Sequence, residues 1–252
     1  MFGYLRQRDV IITLTKYEFK LRYRGTVLGI GWSLLAPFLL AVVLYFVFRN
    51  VFRFVENFAL YVLVGVFVFR FFSVATSVGM YSIISKANFV TKTNLSREIL
   101  PLVTTLTYFF SSFIELLILI PIIVIFGGKI GMYILLFPVI HIVYLIFVYG
   151  VNLYLSAITV YFRDLNQIWE VITNILFFAS PIVYPIRVIP KEYVNIYMLN
   201  PLTRFIELYR DVMIYNTFSI NDFVYVLISS LLVFISGHVF FRRLQRKFGE
   251  VL

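Results

Sequence analysis

The sequence predicts an all-α integral membrane protein, because long uncharged apolar segments alternate with short polar ones. Hydrophobic residues make up 62% of the 252 positions and charged residues only 13%, whereas soluble domains average about 45–50% and about 25%. The uncharged segments are long enough for helices that cross a bilayer. We therefore expect one transmembrane domain over residues 1–252, with six transmembrane helices, an N-terminal amphipathic interface helix and short broken or re-entrant helices on the outer side.

Residues 9–24 predict the amphipathic helix. Asp9 is placed to cap it, and Glu18 and Arg22 are spaced for an i,i+4 pair. One face carries the apolar residues Val10, Leu14, Tyr17 and Leu21. The other carries the polar or basic residues Thr13, Lys16, Lys20 and Arg24. A cationic helix just before a span is best placed flat on the cytoplasmic membrane surface. The residues before it lack the apolar core and cleavage site of a signal peptide, so we expect the N-terminus to be retained.

The complete spans follow from the uncharged segments and the charges that bound them. We predict them at 31–48, 58–81, 99–126, 130–162 and 223–241. Most lysines and arginines fall in the loops of one side, which places both termini in the cytoplasm. The formal net charge of +10 comes from residues that flank spans and not from one basic face, so no nucleic-acid partner is expected.

The segment between Glu170 and Arg187 is too short for an ordinary span. It has 16 uncharged positions, fewer than the ~20 that a spanning helix needs, and Ser180-Pro181-Ile182-Val183-Tyr184-Pro185 falls near its end. Irregular backbone survives at membrane depth only where protein or a water-filled cavity surrounds it. We predict a broken or re-entrant helix at 171–186 that lines a pathway.

Asn200 and Pro201 predict the start of the next helix, as N-cap and first helical residue. Its apolar face includes Tyr209, and its polar face includes Arg204 and Arg210. The helix is ~20 Å long, too short to span, so we expect it in or near the interface. Tyrosines near the break have a flat ring with a polar tip that suits sugar faces, although an aromatic belt at the interface accounts for most tyrosines.

Arg70 and Glu115 are the ionisable residues most clearly inside predicted spans. A charge near mid-span costs ~2.5–3.5 kcal/mol on insertion, so it faces protein or water. The two residues either contact a charged substrate group or form a buried ion pair that fixes two helices. We favour the ion pair, because neither a second acid nor a histidine relay accompanies them.

The chain lacks the residues of several chemistries. Cysteine is absent, and His141 and His238 lie in different spans without metal-ligand spacing. Gly128 and Lys129 belong to no phosphate-binding loop, and no G-x-S-x-G motif occurs. We expect no catalytic residue, metal or cofactor on this chain, so any ATP is hydrolysed elsewhere.

Six motifs follow one another over nearly the whole chain. They are residues 16–24 (KYEFKLRYR), 28–37 (LGIGWSLLAP), 94–101 (NLSREILP), 161–165 (YFRDL), 180–185 (SPIVYP) and 200–202 (NPL). In these residues and their order the chain resembles the membrane subunits of bacterial ABC-2 type polysaccharide exporters, which move lipid-linked O-antigen and teichoic acid.

The resemblance implies a homodimer in the bacterial inner membrane, with a channel between protomers that the first and fifth spans line. Two copies of a separate nucleotide-binding ATPase, which holds ATP and magnesium, would drive it. Residues 82–98 would be the coupling loop or helix, with contacts from Lys86, Phe89, Lys92, Arg97 and Glu98. Residues 171–214 would form an outer gate and pathway that includes Ser180, Pro181, Tyr184, Pro185, Asn200, Pro201 and Tyr209. The cargo would be a lipid-linked polysaccharide, moved among membrane lipids.

Three other functions stay open: an ABC-2 exporter of a drug or small lipid, a membrane-embedded lipid-linked glycosyltransferase, and a passive channel. The long fourth span, the tyrosine-rich outer region and the SPIVYP motif favour a glycan over a drug. The short polar loops offer an enzyme only the isolated Asp164 and Glu170. A passive channel has no use for a coupling loop.

Overall fold

The computed structural model describes residues 7–25, 29, 31–87 and 95–251. These ranges are helical almost throughout and contain no strand, which confirms the all-α prediction. In chain order the α-helices are α1 Arg8–Tyr23, α2 Gly31–Phe48, α3 Phe58–Gly79, α4 Ile99–Ile125, α5 Phe137–Thr159, α6 Leu165–Phe178, α7 Lys191–Leu199, α8 Pro201–Arg210, α9 Ile220–Leu244 and α10 Phe248–Val251. Short 3₁₀ turns cover Ile84–Lys86, Met132–Leu136, Ile186–Val188 and Gln245–Lys247, and a π-helical turn covers Asp211–Tyr215.

Five helical segments of the described chain are long and apolar enough to cross a membrane. They are Gly31–Phe48, Phe58–Gly79, Ile99–Ile125, Met132–Thr159 and Ile220–Lys247, so each complete span expected from the sequence is found. The last one begins earlier than predicted, because the Ser219 hydroxyl accepts a 3.3 Å hydrogen bond from the Asp222 backbone N–H and caps the helix. Pro37 lies inside α2 without ending it.

Helix α3 forms the centre of the bundle. Most of its side chains are buried, and it packs against α2, α4, α5 and α8. Its sequence is apolar on all sides, and a helix of that kind is stable when neighbours surround it. Arg70 is the one charged residue in α3, and it is only partly buried.

Helices α5 and α9 pack most closely where two glycines meet. A Cβ atom added to Gly237 would lie 2.6 Å from the carbonyl oxygen of Gly150, and one added to Gly150 would lie 2.7 Å from the backbone nitrogen of Phe234. Small residues let two membrane helices approach until their backbones touch. The last span is thereby fixed against the fourth.

Buried polar side chains join the central helices. The Asn152 amide on α5 donates to the Ala75 carbonyl of α3 at 3.2 Å and to the Thr105 hydroxyl of α4 at 2.8 Å. The Tyr144 hydroxyl donates to the Val68 carbonyl at 3.2 Å. Hydrogen bonds of this kind between membrane helices contribute about 0.6–2 kcal/mol each and fix their relative positions.

The loops gather at two ends of the bundle. The terminal end comprises α1 with residues 82–87, 95–98, 160–164 and 242–249, and the break end comprises residues 49–57, 126–131, 179–200 and 215–219. At the terminal end the Tyr161 hydroxyl donates to the Leu244 carbonyl at 3.0 Å. At the break end the Asn57 amide donates to the Gly127 carbonyl at 3.2 Å. Helix α6 leads from one end to the other with 14 residues, ~21 Å against a hydrocarbon core of ~30 Å. It is short, as predicted, but it runs from Leu165 to Phe178 and not over 171–186.

Helix α1 differs from its prediction at its start and in the partner of Glu18. It begins at Arg8, so Asp9 lies in its first turn and is not the cap. Thr15 is only 6% exposed and turns towards α4, while Tyr17 of the apolar face is 61% exposed, so other helices do not cover that face. The predicted pair between Glu18 and Arg22 is absent from the ion pairs of the described residues, because Glu18 pairs with Lys86.

Helix α8 begins as predicted but is enclosed more completely. The Asn200 side chain accepts a 3.0 Å hydrogen bond from the Leu202 backbone N–H, and Pro201 is the first helical residue. However, α3, α5 and α9 surround the helix, and Thr203 and Arg210 are fully buried. The polar residues are therefore enclosed by other helices: Arg210 donates to buried carbonyl groups, whereas the Thr203 hydroxyl has no hydrogen-bond partner among the described residues. The position of α8 in or near the interface stays a prediction.

Candidate functional site

The helix break after α6 is the most irregular part of the described membrane region. Helix α6 ends at Phe178, and the backbone from Ala179 to Pro185 is not helical. Ser180, Pro181 and Pro185 are buried, so the break lies within protein as the sequence predicts. Carbonyl groups freed by such a break need hydrogen-bond donors, since no water competes for them at buried sites.

Arg210, the last residue of α8, supplies those donors. Its side chain is fully buried. Nη1 donates to the Pro181 carbonyl at 2.6 Å, and Nη2 donates to the Ile182 carbonyl at 2.9 Å. Both carbonyls belong to the break, so one guanidinium group binds α8 to two consecutive peptide groups of the irregular segment.

The same guanidinium binds the start of α3. Nε and Nη2 donate to the Tyr61 carbonyl at 3.2 and 3.1 Å, and the Cζ atom lies 3.3 Å from the centre of the Tyr61 ring. Nη1 also donates to Glu207 Oε1 at 2.6 Å, which balances the charge. These five hydrogen bonds match the five N–H groups of arginine. We call Arg210 with Glu207, Tyr61 and the carbonyls of Pro181 and Ile182 the arginine clamp.

Gly65 makes room for the arginine clamp. A Cβ atom at this position of α3 would lie 2.6 Å from Nη2 of Arg210 and 3.2 Å from the Ile182 carbonyl oxygen. A separation of 2.6 Å is far below the usual contact distance between carbon and nitrogen. Glycine is therefore the residue that lets the guanidinium lie against the backbone of α3.

A second set of hydrogen bonds ties the break to the start of α8. The Asn200 side-chain amide donates to the Ser180 hydroxyl at 3.1 Å while its oxygen caps α8. The Tyr184 hydroxyl lies 2.5 Å from the Phe178 carbonyl oxygen and 2.9 Å from the Tyr197 hydroxyl. Burial raises the pKa of Tyr184, and the hydrogen bond to Tyr197 raises it further.

The predicted pathway residues thus divide into two groups. Ser180, Pro181, Tyr184 and Pro185 lie in the break, and Asn200 and Pro201 begin α8 beside it. Tyr209 lies elsewhere: it is fully buried against α5, with its hydroxyl 2.5 Å from Nδ1 of His141. The other ring nitrogen of His141 faces the Phe109 carbonyl at 3.3 Å, so Nε2 carries the hydrogen and Nδ1 accepts from tyrosine. In this conformation Tyr209 contacts protein and not a pathway.

Asp211 follows the arginine clamp in the π-helical turn. Burial raises the pKa of its carboxyl group to about 6, and the nearby Glu207 carboxylate adds to the rise. A hydrogen bond from the Thr217 side chain opposes it. The Asp211 carbonyl also accepts the Thr217 backbone N–H at 2.9 Å. The pKa of this carboxyl group therefore lies well above its ordinary value of 3.8.

The residues predicted to contact an ATPase are held within the protomer where they are described. Lys86 pairs with Glu18 of α1, and the Arg97 guanidinium donates to the Gln245 carbonyl. Glu98 is buried, with Oε1 2.9 Å from Nε of Arg242 and Oε2 3.2 Å from Nδ1 of His238. Glu98 therefore links the start of α4 to the end of α9 and does not face outwards. Phe89 and Lys92 lie outside the described residues.

The predicted ion pair between Arg70 and Glu115 is absent from the ion pairs that the described residues form. Glu115 is buried and hydrogen-bonded to the Ser33 hydroxyl of α2, and it attracts the Arg70 charge only at longer range. The favoured interpretation of a direct pair is therefore wrong. Ser33 of α2 supplies the hydroxyl group that hydrogen-bonds to Glu115.

Arg210, Tyr61 and Gly65 were not recognised from the sequence. A helical pattern assigns polar residues to the exposed face, and Arg210 follows that pattern. The available signal was the break itself, because carbonyls freed in an apolar environment require a buried donor. Gly65 in the middle of an otherwise bulky span was a second signal.

The fold and the clamped break together define a multi-span membrane domain in which one helix is broken within protein. Among the described residues no group of three or more histidine, aspartate and glutamate side chains is placed to hold a metal ion. Residues 9–214 match the family model described as ABC-2 type transporter, and the chain belongs to this family.

Curated relatives extend the similarity to nearly the full chain. Two proteins of Klebsiella pneumoniae, each named O-antigen export system permease protein RfbA, are 28% identical over 256 residues, which cover 99% of this chain and 96% of each relative. A protein of the same name from Myxococcus xanthus is 30% identical over 206 residues, covering 81% of this chain and 79% of the relative.

Proposed function

We propose that this chain is the channel-forming membrane subunit of an ATP-driven exporter that moves a lipid-linked polysaccharide of the O-antigen type across the cytoplasmic membrane. The observation that carries this proposal is the similarity to O-antigen export permeases over 99% of this chain and 96% of two relatives. Membership of the ABC-2 family agrees with a role in transport. The enzyme activity, ATP hydrolysis, belongs to a partner chain that holds ATP and magnesium.

The proposed assembly is a homodimer in the bacterial inner membrane, with two copies of the ATPase. Residues 82–98 form the coupling segment, and both termini are cytoplasmic at the terminal end. Phe89 and Lys92 remain the proposed ATPase contacts, with Lys86 and Arg97 beside them. Because Lys86 pairs with Glu18, a displacement of the coupling segment by the ATPase would be transmitted to α1 through this ion pair. Glu98 carries the motion to α9 through Arg242.

The conduit is proposed to lie between α2 and α6 of the two protomers. Both helices are exposed along one apolar face, with side chains that a single protomer does not bury: Leu39, Val43, Phe46 and Val47 on α2, and Ile168, Val171, Ile175 and Phe178 on α6. Residues 171–214 close its outer end, and the arginine clamp holds that gate to α3. ATP binding on the partner then shifts the closed state towards a conducting one.

Restoration of export in cells tests the function. A bacterial strain that makes a lipid-linked glycan but lacks its own permease displays no glycan on its surface. We expect co-expression of this chain with its ATPase to restore the surface glycan, and the same chain with a hydrolysis-defective ATPase to leave the glycan inside. Export of a drug or small lipid with no effect on the glycan would favour the other ABC-2 function.

Co-purification tests the partner separately. We expect an ATPase to purify with the tagged chain, and Phe89→Ala or Arg97→Ala to weaken that association. Arg243→Ala is the matched control, because Arg243 is an exposed cation of the terminal end that lies outside the coupling segment. A chain that recruits no nucleotide-binding partner would contradict the proposal and favour a channel or an enzyme.

A further inference from the structure

A cavity of about 360 Å³ lies where α2, α3 and α6 meet. Arg70 of α3 lines it, as do Ser73 of α3 and Asn174 of α6, and Pro37 and Phe177 form part of its apolar wall. Arg70 lies nine positions before the end of α3 at Gly79, so its Cα atom lies roughly 13 Å inside the terminal end of the span. The cavity is therefore at membrane depth and next to the two helices proposed to line the conduit.

The polar side chains of this cavity are available to a ligand. Those of Arg70, Ser73 and Asn174 make no hydrogen bond within the described part of the chain. Glu115 is hydrogen-bonded to Ser33 and does not line the cavity. A charged group inside a span costs ~2.5–3.5 kcal/mol and is retained where it contacts protein, water or a substrate. Asn174 likewise interrupts the apolar exposed face of α6.

The donors present suit a phosphate group. Arginine offers a planar fork that matches phosphate oxygens in pairs. The Ser73 hydroxyl on the same helix and the Asn174 amide on α6 add donors from a second direction. A phosphate group is tetrahedral and has several acceptor oxygens, so it can accept from both directions, whereas a single carboxylate group cannot. The volume is at the lower end of small-ligand sites, about 300–1,000 Å³, so it fits a head group and not a glycan chain.

We propose that this cavity binds the phosphate group of a lipid-borne substrate, with Arg70 as the central contact and Ser73 and Asn174 as further donors. The apolar wall would contact the first carbons of the lipid. The inference rests on the proposed function, because it places the lipid end of the cargo beside the conduit while the glycan passes between protomers. A phosphate on a carrier lipid and one on a bulk phospholipid share this chemistry.

Binding to the purified full-length protein tests the proposal. The protein is placed in phosphatidylcholine nanodiscs, and radiolabelled polyprenyl diphosphate is titrated, with polyprenol of equal length as the uncharged ligand. We expect the diphosphate to bind more tightly than the alcohol, Arg70→Gln to weaken it about tenfold or more, and Asn174→Ala to weaken it about threefold. Arg243→Gln, at an exposed arginine of α9, is the control and should bind like wild type.

The outcomes separate the two levels of the proposal. Equal binding by wild type and Arg70→Gln, with both proteins monodisperse, would overturn the phosphate site while leaving the exporter function intact. Failure of wild type to distinguish diphosphate from alcohol would overturn the site and count against a lipid-linked cargo. In nanodiscs with added phosphatidylglycerol, retained diphosphate binding identifies the carrier lipid as the ligand. If phosphatidylglycerol instead displaces the diphosphate completely from wild type, and this competition is lost in Arg70→Gln, the site binds the phosphate of a bulk phospholipid.

Discussion

Arg210 of α8 lies over the ring of Tyr61 of α3, with 3.3 Å between Cζ and the ring centre, and also donates twice to the Tyr61 carbonyl. One residue of α3 therefore provides both a π-face and a hydrogen-bond acceptor. The opposite edge of the guanidinium binds the Pro181 and Ile182 carbonyls. The break after α6 is thus attached to the centre of the bundle through a single side chain.

Replacing Arg210 tests the arginine clamp. Arg210→Gln removes the guanidinium group that donates to Glu207 and to two carbonyls of the break, and removing one partner of a buried pair costs about 3–5 kcal/mol. We expect a clear fall in the melting temperature of the detergent-purified protein and loss of surface glycan in the export assay. The melting temperature and the surface glycan of Arg210→Lys should lie between those of wild type and Arg210→Gln, because lysine keeps the charge but not the planar fork.

Tyr61→Phe is the comparison for that experiment. It removes a hydroxyl that faces the Pro181 and Tyr184 carbonyls at 3.4 and 3.2 Å and Glu207 Oε1 at 3.3 Å. It keeps the ring and the carbonyl that bind Arg210, so we expect a loss of about 1 kcal/mol, well below that of Arg210→Gln. If Tyr61→Phe were as damaging as Arg210→Gln, the hydroxyl and not the guanidinium would hold the break.

Gly65→Ala tests whether α3 must be narrow beside the clamp. The added methyl group would lie 2.6 Å from Nη2 of Arg210, so the guanidinium must move and lose bonds to the break. We expect destabilisation of about 1–3 kcal/mol by overpacking, read from thermal unfolding. Gly249→Ala serves as the comparison, since its nearest neighbour is 3.9 Å away. Similar stability of the two variants would argue against close contact at Gly65.

A charge exchange tests the link between α1 and the coupling segment. Glu18 and Lys86 pair across the terminal end, and both are partly buried. We expect Glu18→Lys to lower ATPase-driven export through like-charge repulsion, and the double variant Glu18→Lys with Lys86→Glu to recover most of it. The interaction energy in a double-mutant cycle should be near 1 kcal/mol. A double variant no better than Glu18→Lys would mean that the pair transmits nothing.

The Asp211 carboxyl group predicts a dependence of stability on pH. Its pKa is about 6 in the folded protein against an ordinary value of 3.8. Between these values the folded state holds a proton that the unfolded state releases, so stability falls as pH rises through this window. We expect the difference in melting temperature, wild type minus Asp211→Asn, to decrease as the pH is raised from about 4 to about 6. A constant difference would show that Asp211 is not titrating there.

Apolar patterning and caps were sufficient to predict most of the fold. The span Gly31–Phe48 has its predicted limits, and α8 begins at Pro201 after an Asn200 cap. These features depend on residues close in sequence, because a run of uncharged residues and a capping side chain act locally. The break at Ser180-Pro181 is local in the same way.

The failures involve polar residues whose partners are distant in sequence. The helical pattern places Arg210 on the polar face of α8 but does not indicate that it binds Tyr61, 149 positions away. Glu98 was assigned to an ATPase contact, yet it binds Arg242 from α9. Helical periodicity describes one helix in isolation and does not show which polar group another helix must satisfy. The candidate site is built from such long-range pairs, so it was predicted only in part.

The central claim is that α2 and α6 face a second copy of this chain and enclose the conduit. The protein has no cysteine, so single-cysteine variants can be cross-linked without background. We predict that Val43→Cys on α2 and Ile175→Cys on α6 give covalent dimers with a short bis-maleimide in native membranes, whereas Leu232→Cys, exposed on α9, stays monomeric. Dimers from the α9 position and none from α2 or α6 would contradict the claim.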